Sequence, residues 1–463
     1  MACYPLIIFT KILNFINRYK NISQLRKNVF SGSILSGVDI LLAFVSYPIY
    51  LKYLGVEKYG LWTVVSVVLS FTQIGQFGIG TALTKYVANN YGSKNFHGIT
   101  EYTTASFYIL TIPSLIIVGV LICLKNQITV FLGIKEVFIN DGERLVFFVG
   151  LLSVFSLFVD IVKSVIVGIG RMDIANSVFL FSRILQITLS VGLLILGIGV
   201  WSLYFGFLFA NVFPIIVFIA LLKYTHHIKI FSPLVLKKQK LKDLVNFGGV
   251  LTIATVAHMF VVPFNKIIIS KYIGLSEVTY YQIANQIVFS VRGLFVKGLE
   301  AILPKISEIH GNTIESLTSI LSIHKKGMNF ILTCAFPLFV SVFIFARPIL
   351  TIWLGEGFHF QIVTALRILL IGWFFNILAV PDFFMFMGIG KINYSVTATC
   401  VKAIVNVIAI FTFVIFLSPS FTLAKVAAID SISLVMAVIF LKYKYFEFRK
   451  GNLVSQVISY EKQ

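Results

Sequence analysis

Twelve long apolar runs separated by short polar breaks constrain this chain more than any other feature of its sequence. About 20 consecutive apolar residues cross the hydrocarbon core of a bilayer as one helix. We therefore predict an all-α polytopic membrane protein, which excludes a soluble enzyme and a secreted disulfide scaffold. The predicted spans cover residues 28–51, 60–83, 103–124, 144–168, 177–198, 200–222, 244–270, 279–303, 326–346, 363–390, 394–417 and 421–442.

The composition supports this class and limits the partners. Of the 463 residues, 58% are hydrophobic and 12% are charged, whereas soluble domains carry about 25% charged residues. The formal charge of +20 resembles that of a nucleic-acid binder, but in a membrane chain it marks cytoplasmic loops. We expect no nucleic-acid partner. The scattered cysteines Cys3, Cys123, Cys334 and Cys400 predict no metal site, and we expect no cofactor.

The distribution of lysine and arginine predicts the orientation. With twelve spans both termini lie on one side of the membrane. If that side is the cytoplasm, most basic residues fall in cytoplasmic segments, as the positive-inside rule requires. The outer loops would then hold only Lys52, Lys58, Lys125, Lys135, Lys271 and Arg347. We therefore expect a multi-pass membrane protein with both termini in the cytoplasm.

Four short words recur in the same order in the two halves of the chain, at a nearly constant offset. Six spans per copy is an even number, so both copies enter the membrane from the same side. The expected arrangement is two six-helix halves related by a parallel pseudo-two-fold, with a cavity between them, as in transporters. The pairs are KYLG at 52–55 with KYIG at 271–274, FLG at 131–133 with WLG at 353–355, GIGR at 168–171 with GIGK at 388–391, and LKY at 222–224 with LKY at 441–443.

This repeat predicts the domain boundaries. The six-helix halves cover residues 28–222 and 244–442, joined by a basic cytoplasmic linker at 223–243 and followed by a cytoplasmic tail at 443–463. Residues 1–27 precede the first half. Their short apolar run lacks a basic region before it and a cleavage site after it, so it is a poor signal peptide. A basic amphipathic helix on the inner membrane surface and a frayed terminus both remain open.

Charged residues deep in the spans are the candidate functional groups, because a charge at the bilayer centre costs about 2.5–3.5 kcal/mol. Arg183, Arg292 and Lys402 lie deep enough to form an anion site, and Arg292 is the strongest candidate for phosphate binding. Asp39, Asp430 and His258 are candidates for ion coupling. An interhelical ion pair is the alternative for Arg292, and hydrogen-bonded packing is the alternative for His258.

The other polar residues fall into two groups, those within a span and those near the end of a span. Gln73, Gln76 and Asn285 are candidate sugar-binding residues, with a role in holding helices together as the alternative. Asp160 and Lys163 are three residues apart on one helical face and could pair with each other. Four basic residues near span ends are expected to reach a membrane interface instead. They are Lys266, Lys297, Arg367 and Lys425.

Two stretches resemble a known family. YLGVEKYGLW at residues 53–62 and GQFGIGTAL at residues 75–83 are similar to the first two spans of bacterial polysaccharide flippases. These are the Wzx-type O-antigen transporters of the multidrug/oligosaccharidyl-lipid/polysaccharide exporter (MOP) superfamily, to which the multidrug exporters called MATE also belong. The turns at residues 168–171 and 388–391 and IWLG at residues 352–355 match the same pattern. The resemblance extends over essentially all twelve spans.

The resemblance implies a MATE-like fold and a function. The protein would lie in the bacterial inner membrane and move an undecaprenyl-diphosphate-linked oligosaccharide from its cytoplasmic to its outer leaflet, without bond chemistry and with no catalytic residue. In this superfamily the first, second, seventh and eighth spans line the cavity. Membrane lipids and other membrane proteins of polysaccharide assembly would be its partners. The residues placed in the cavity by this analogy are Asp39, Gln73, Gln76, His258 and Arg292.

Three alternative functions remain open. A multidrug exporter of the same superfamily would need an acidic cavity for cationic drugs, whereas the deep charges here lean basic. A membrane glycosyl polymerase would need a sizeable extramembrane loop, but the predicted outer loops are short. A secondary transporter of the other large twelve-span superfamily would carry a basic signature between the second and third spans, and residues 85–100 lack it. No P-loop is present, so we expect an ion gradient to drive transport.

Overall fold

The computed structural model describes residues 23–224, 228, 230–232, 237–299, 302, 306, 309, 314–417 and 421–460, and within them the chain is helical with no strand. The predicted amphipathic segment at residues 1–22 lies outside the described residues. The helices are α1 Gln24–Val65, α2 Val67–Thr72, α3 Ile79–Gly92, α4 Phe96–Phe131, α5 Ile139–Gly168, α6 Met172–Ile195, α7 Trp201–Tyr224, α8 Lys238–Met259, α9 Val262–Tyr272, α10 Leu275–Leu299, α11 Ile314–Phe330, α12 Phe336–Ile344, α13 Ala346–Leu354, α14 Phe360–Leu378, α15 Val380–Gly388, α16 Ile392–Leu417 and α17 Leu423–Tyr460.

Within the described ranges, nine helical segments are long and apolar enough to cross a membrane. The first, Phe30–Gln76, has 47 residues and would be about 70 Å long as a straight helix, roughly twice the bilayer core. It is interrupted at Gly55, whose backbone is not helical (φ 73°, ψ 169°), so it holds the first predicted span and much of the second. Predicted spans 244–270 and 279–303 coincide with α8–α9 and α10, which carry more polar residues. The prediction of an all-α polytopic membrane fold is confirmed.

The repeated words end their helices in the same way. In three of the four pairs the glycine has a positive φ in both copies, a conformation that costs glycine little and other residues more. The turn after α5 and the turn after α15 also share their hydrogen bonds, since Arg171 N donates to Ile166 O and Lys391 N donates to Phe386 O. The sequence repeat is therefore a repeat of backbone turns. The paired glycines are Gly55 and Gly274, Gly133 and Gly355, and Gly170 and Gly390.

The end of the bundle that carries the predicted outer loops, here called the outer-loop end, is closed by contacts between the two halves. Gly60 of α1 packs against the carbonyl of Leu275 so closely that a Cβ would not fit. Thr279 Oγ1 donates to Val56 O at 2.8 Å. Trp353 Nε1 donates to Phe44 O at 2.6 Å, and the two rings stack at 4.3 Å.

The other end of the bundle, here called the basic end, is joined by charged groups instead. The buried carboxylate of Glu101 in α4 pairs with Lys237 and lies 3.7 Å from Lys240 Nζ. Tyr102 Oη donates to Asp243 Oδ2 at 3.0 Å. These contacts fix the start of α8 against the first half of the chain, although α8 belongs to the second half in sequence.

Three spans are broken inside the membrane. Residues Gln73–Gln76 form a 3-10 turn before α3, α8 ends before Val261 with φ −118° and ψ −95°, and α14 ends at Ala379. Pro263 and Pro381 stand in the first turn of the helices that follow the last two breaks, where a missing N–H costs nothing. Broken spans of this kind are tolerated where the free backbone faces protein or a cavity.

The close approach at Gly60 gives the first prediction. Gly60→Val should force α1 and α10 apart at the outer-loop end, because overpacking a fitted contact costs about 1–3 kcal/mol. Double electron–electron resonance between labels at positions 58 and 356, with the native cysteines replaced, should then report a longer mean distance. Gly192→Val is the matched control, since nothing lies within 4 Å of a Cβ at Gly192. An unchanged distance in Gly60→Val would contradict this account of the closed end.

Candidate substrate cavity

A cavity of about 640 Å³ lies between the two halves. Its wall mixes hydroxyl and amide groups with aromatic rings, methionines and two basic side chains, and contains no carboxylate. It reaches the basic end at the turn after α15. Its lining is Ser70, Gln73, Thr255, His258, Met259, Val262, Pro263, Lys266, Phe289, Phe383, Met387, Ile392, Ser395, Val396 and Thr399.

Lys266 is the basic residue of this wall that the sequence analysis did not select. We expected its ammonium group to reach a membrane interface, but the structure places it on the cavity. The reason is the break at Phe260–Val261: α9 begins at Val262, so Lys266 sits one turn into a new helix instead of near the end of a long one. Among the described residues no carboxylate pairs with Lys266, which leaves its charge available to a ligand.

Behind the cavity wall, Lys402 and Asp430 form a buried ion pair. Lys402 Nζ lies 3.4 Å from Asp430 Oδ1, and the Asp430 side chain is completely buried. Tyr281 Oη donates to Asp430 Oδ2 at 2.8 Å. Since an isolated charge in such a place costs several kcal/mol, each member of the pair needs the other.

Asparagine side chains extend this pair to the break before α9. Asn265 Nδ2 donates to Tyr281 Oη at 2.9 Å. Asn406 Nδ2 donates to Asn265 Oδ1 at 2.8 Å and lies 3.2 Å from Phe260 O, a carbonyl that the end of α8 leaves without a helical partner. The network therefore joins α9, α10, α16 and α17 and stabilises the broken helix.

Arg292, the strongest candidate from the sequence, lies beside this network. Its Nε donates to Asn376 Oδ1 at 3.0 Å. Its guanidinium carbon lies 5.3 Å from the centre of the Trp373 ring, and Lys402 Nζ lies 4.9 Å from the same ring. Two cations share one aromatic ring, which adds a favourable cation–π contact for each in a low-dielectric place. None of the described carboxylates forms an ion pair with Arg292.

The deep polar residues of the first half pair with each other. Arg183 Nε lies 3.4 Å from Asp39 Oδ1, and Arg183 Nη1 donates to Gln186 at 2.8 Å. Gln76 Nε2 donates to Asp160 Oδ2 at 3.0 Å. The predicted pairing of Asp160 with Lys163 is confirmed, at 4.0 Å.

The structure brings only some of the sequence candidates together. Gln73 and His258 line the cavity, and His258 lies within electrostatic range of Lys402, Asp430 and Arg292. Asn285 does not line the cavity, and its Nδ2 donates to the Tyr281 carbonyl at 3.1 Å. The sequence analysis missed Lys266, Tyr281, Asn265 and Trp373. Only Lys266 had a usable signal, namely Pro263, which marks the start of a new helix.

A second buried carboxylate lies near the basic end of the second half. Asp382 Oδ1 is 2.8 Å from His324 Nε2, and Asp382 Oδ2 is 2.6 Å from Lys442 Nζ. The His324 ring stacks on Tyr445 at 4.4 Å. This cluster fastens α11, α15 and α17 to one another and is not part of the cavity wall.

The Lys402–Asp430 pair gives the second prediction. Lys402→Met should destabilise the protein by about 3–5 kcal/mol, because it leaves a buried carboxylate without a counter-charge. The double variant Lys402→Met/Asp430→Asn should lose much less, since it removes both charges together. Unfolding in mixed micelles, followed as a double-mutant cycle, measures the coupling free energy. Additive losses from the two single variants would show that the pair is not coupled.

Comparison with known proteins places the chain in a family. The family model described as "Polysaccharide biosynthesis protein" matches residues 25–310, more than half of the chain. A candidate O-antigen transporter of Shigella flexneri is 21% identical over 409 residues, covering 88% of this chain and 94% of that protein. These matches confirm the resemblance seen at residues 53–62 and 75–83.

Solved structures share the fold. An inward-facing multidrug resistance MATE transporter of the MOP superfamily superposes with a TM-score of 0.71 at 18% identity, covering 89% of this chain and 95% of that one. The lipid II flippase MurJ in an inward closed conformation superposes with a TM-score of 0.71 at 16% identity, covering 93% and 92%. The chain therefore belongs to the polysaccharide biosynthesis protein family and has the fold of the MOP superfamily transporters.

Proposed function

We propose that this protein is a flippase that moves an undecaprenyl-diphosphate-linked oligosaccharide between the leaflets of the bacterial inner membrane. The ammonium group of Lys266, which no described carboxylate pairs with and which lies on a cavity wall without carboxylates, is the observation that carries the proposal. A family of polysaccharide biosynthesis and a candidate O-antigen transporter among the relatives agree with it. No bond is made or broken, and alternating access moves the substrate.

The diphosphate would bind Lys266 first, because no carboxylate among the described residues pairs with its charge. Arg292 lies behind the same wall and adds positive potential, and Lys402 would add its own once its pairing with Asp430 is released. Charge-assisted hydrogen bonds from ammonium and guanidinium groups to phosphate oxygens are about twice as strong as neutral ones. Arg183 remains a candidate only if its pairing with Asp39 opens, since that carboxylate now holds its guanidinium.

The sugars would occupy the rest of the cavity. Gln73 and Ser70 offer an amide and a hydroxyl from the first half, and Thr255 and Thr399 offer hydroxyls from the second. The Phe289 ring supplies an apolar face of the kind that packs against the C–H surface of a sugar ring. Gln76 and Asn285 are engaged elsewhere, so we assign them to packing.

The conformation suits loading from the cytoplasm. The outer-loop end is closed by Gly60, Thr279 and Trp353, whereas the cavity reaches the basic end at Met387 and Ile392. By the positive-inside rule we assign the basic end, and with it both termini, to the cytoplasm. The substrate would then enter on the side where lipid-linked sugars are assembled.

An ion gradient would drive the cycle through Asp430. Proton binding to this carboxylate would neutralise it and release Lys402, whose charge then becomes available to the diphosphate. A metal ion would need several oxygen ligands in the place that the Lys402 ammonium group occupies, so we take a proton as the coupling ion. His258 stands between the network and the cavity and could pass the proton. Asp39 is the alternative coupling carboxylate, in the first half.

Lys266→Gln should weaken substrate binding and slow flipping by roughly 10- to 100-fold, the range expected when one charged hydrogen bond is lost. The assay uses proteoliposomes, a fluorescent undecaprenyl-diphosphate oligosaccharide on one side and a glycan-modifying enzyme on the other. Lys271→Gln is the matched control, because Lys271 lies at the outer-loop end away from the cavity. Equal rates for the two variants would remove Lys266 from the substrate path. Efflux of ethidium without flipping of any lipid-linked glycan would favour drug export instead.

The double variant Lys402→Met/Asp430→Asn should abolish the dependence of flipping on an imposed proton gradient, because no carboxylate is left there to bind and release a proton and neither charge is buried alone. The initial rate in proteoliposomes is compared with and without the gradient. Asp39→Asn is the control with the same change of a carboxylate to an amide and should keep the gradient effect. The reverse pattern would place coupling in the first half of the chain.

A further inference from the structure

A second, apolar cavity of about 380 Å³ lies between α8 and α16. It opens at the surface of the bundle, and Ile253, Ile404 and Ile408 on its wall are each more than half exposed. Cys400 is its most polar side chain. The full wall is Ile253, Val256, Ala257, Phe260, Cys400, Ala403, Ile404, Val407 and Ile408, here called the α8–α16 groove.

The groove and the substrate cavity lie back to back on the same two helices. Along α8, Thr255 and His258 face the cavity, whereas Val256 and Ala257 face the groove. Along α16, Thr399 faces the cavity and its neighbour Cys400 faces the groove. A single layer of side chains therefore separates a polar, cationic space from an apolar one.

That separating layer is small and built from short side chains. Ala257, Val261 and Ala403 form a buried cluster of their own, distinct from the two large hydrophobic cores. Because alanine side chains bury little surface, parting α8 from α16 here would cost far less than opening a large core. The broken end of α8 at Phe260, at the groove, is held to α16 by Asn406.

We propose that the α8–α16 groove binds the polyprenyl chain of the lipid-linked substrate while the diphosphate occupies the adjoining cavity. This inference rests on the proposed function. A lipid-linked diphosphate needs a cationic site for its head and an apolar site for its chain, within one molecule's reach of each other. The two spaces offer both, divided by a layer thin enough for the linkage to cross.

A second apolar depression shows why the position of the α8–α16 groove beside the substrate cavity matters. It measures about 230 Å³ and lies between α12 and α14, lined by Phe336, Phe339, Val340, Phe343, Leu370, Ile371 and Phe374. None of these residues lines the substrate cavity. A chain bound there would hold its head away from Lys266, so this depression serves as the internal control.

The test uses full-length protein in nanodiscs and a polyprenyl monophosphate that carries a benzophenone on its chain. Cross-linked peptides are mapped by mass spectrometry. Ile404→Trp should fill the groove and reduce labelling of α8 and α16 by about tenfold, the factor given by displacing about two buried CH₂ groups. Ile371→Trp is the matched control, since both isoleucines are about half exposed, at 57% and 50%. Ile253→Trp fills the groove from α8 and repeats the test should Ile404→Trp fold poorly.

The outcomes separate the groove from the proposed function. Labelling of α8 and α16 that plain polyprenyl phosphate displaces, and that Ile404→Trp but not Ile371→Trp removes, supports the groove. Labelling spread evenly over the lipid-facing helices overturns it, even if the wild-type protein flips its substrate. If the wild-type protein flips no lipid-linked glycan but the groove is labelled, the flippase proposal fails and the groove still binds the chain.

Discussion

The ion pair between Lys402 and Asp430 is the interaction on which the second half of the molecule depends. Burying either charge alone would cost several kcal/mol, so α16 and α17 pack best when the pair forms. Tyr281 and Asn265 continue it to Asn406, which approaches the free carbonyl at the end of α8. The break before α9 is tolerated because this network supplies a hydrogen-bond donor to the Phe260 carbonyl that the break leaves free. That break turns Lys266 into the cavity and places Phe260 at the groove, so one polar network determines both spaces.

The two ends of the bundle are joined by chemically different contacts. At the outer-loop end Gly60, Trp353 and Phe44 form a dry contact that depends on shape. At the basic end, Glu101 and the lysines beside it form a charged contact that water and salt can weaken. Alternating access requires one end to close as the other opens. Closure of the outer-loop end depends on shape, whereas closure of the basic end depends on water and salt. The two ends can therefore be controlled separately.

Much of the fold could be predicted from the sequence, because apolar length and turn glycines act locally. Each predicted span coincides with helices, and three pairs of glycines in the repeated words have positive φ in both copies. The site was harder to predict. Depth in the membrane identified Asp430, Lys402 and Arg292, but depth does not give the rotation of a helix. Asp39 and Arg183 are therefore found paired with each other, Asn285 is turned away, and Lys266 appears on the cavity.

The two halves share a fold but use their polar residues differently. In the first half Asp39 holds Arg183, and Asp160 holds Gln76, so these charges are satisfied internally. In the second half the described carboxylates leave Lys266 and Arg292 without an ion-pair partner, and the groove adjoins the same helices. A ligand with a charged head gains most binding free energy where the protein still has a charge without an ion-pair partner. On the proposed function, the first half would therefore serve mainly as the frame against which the second half moves, and the second half would carry the ligand and the group that couples its release to an ion.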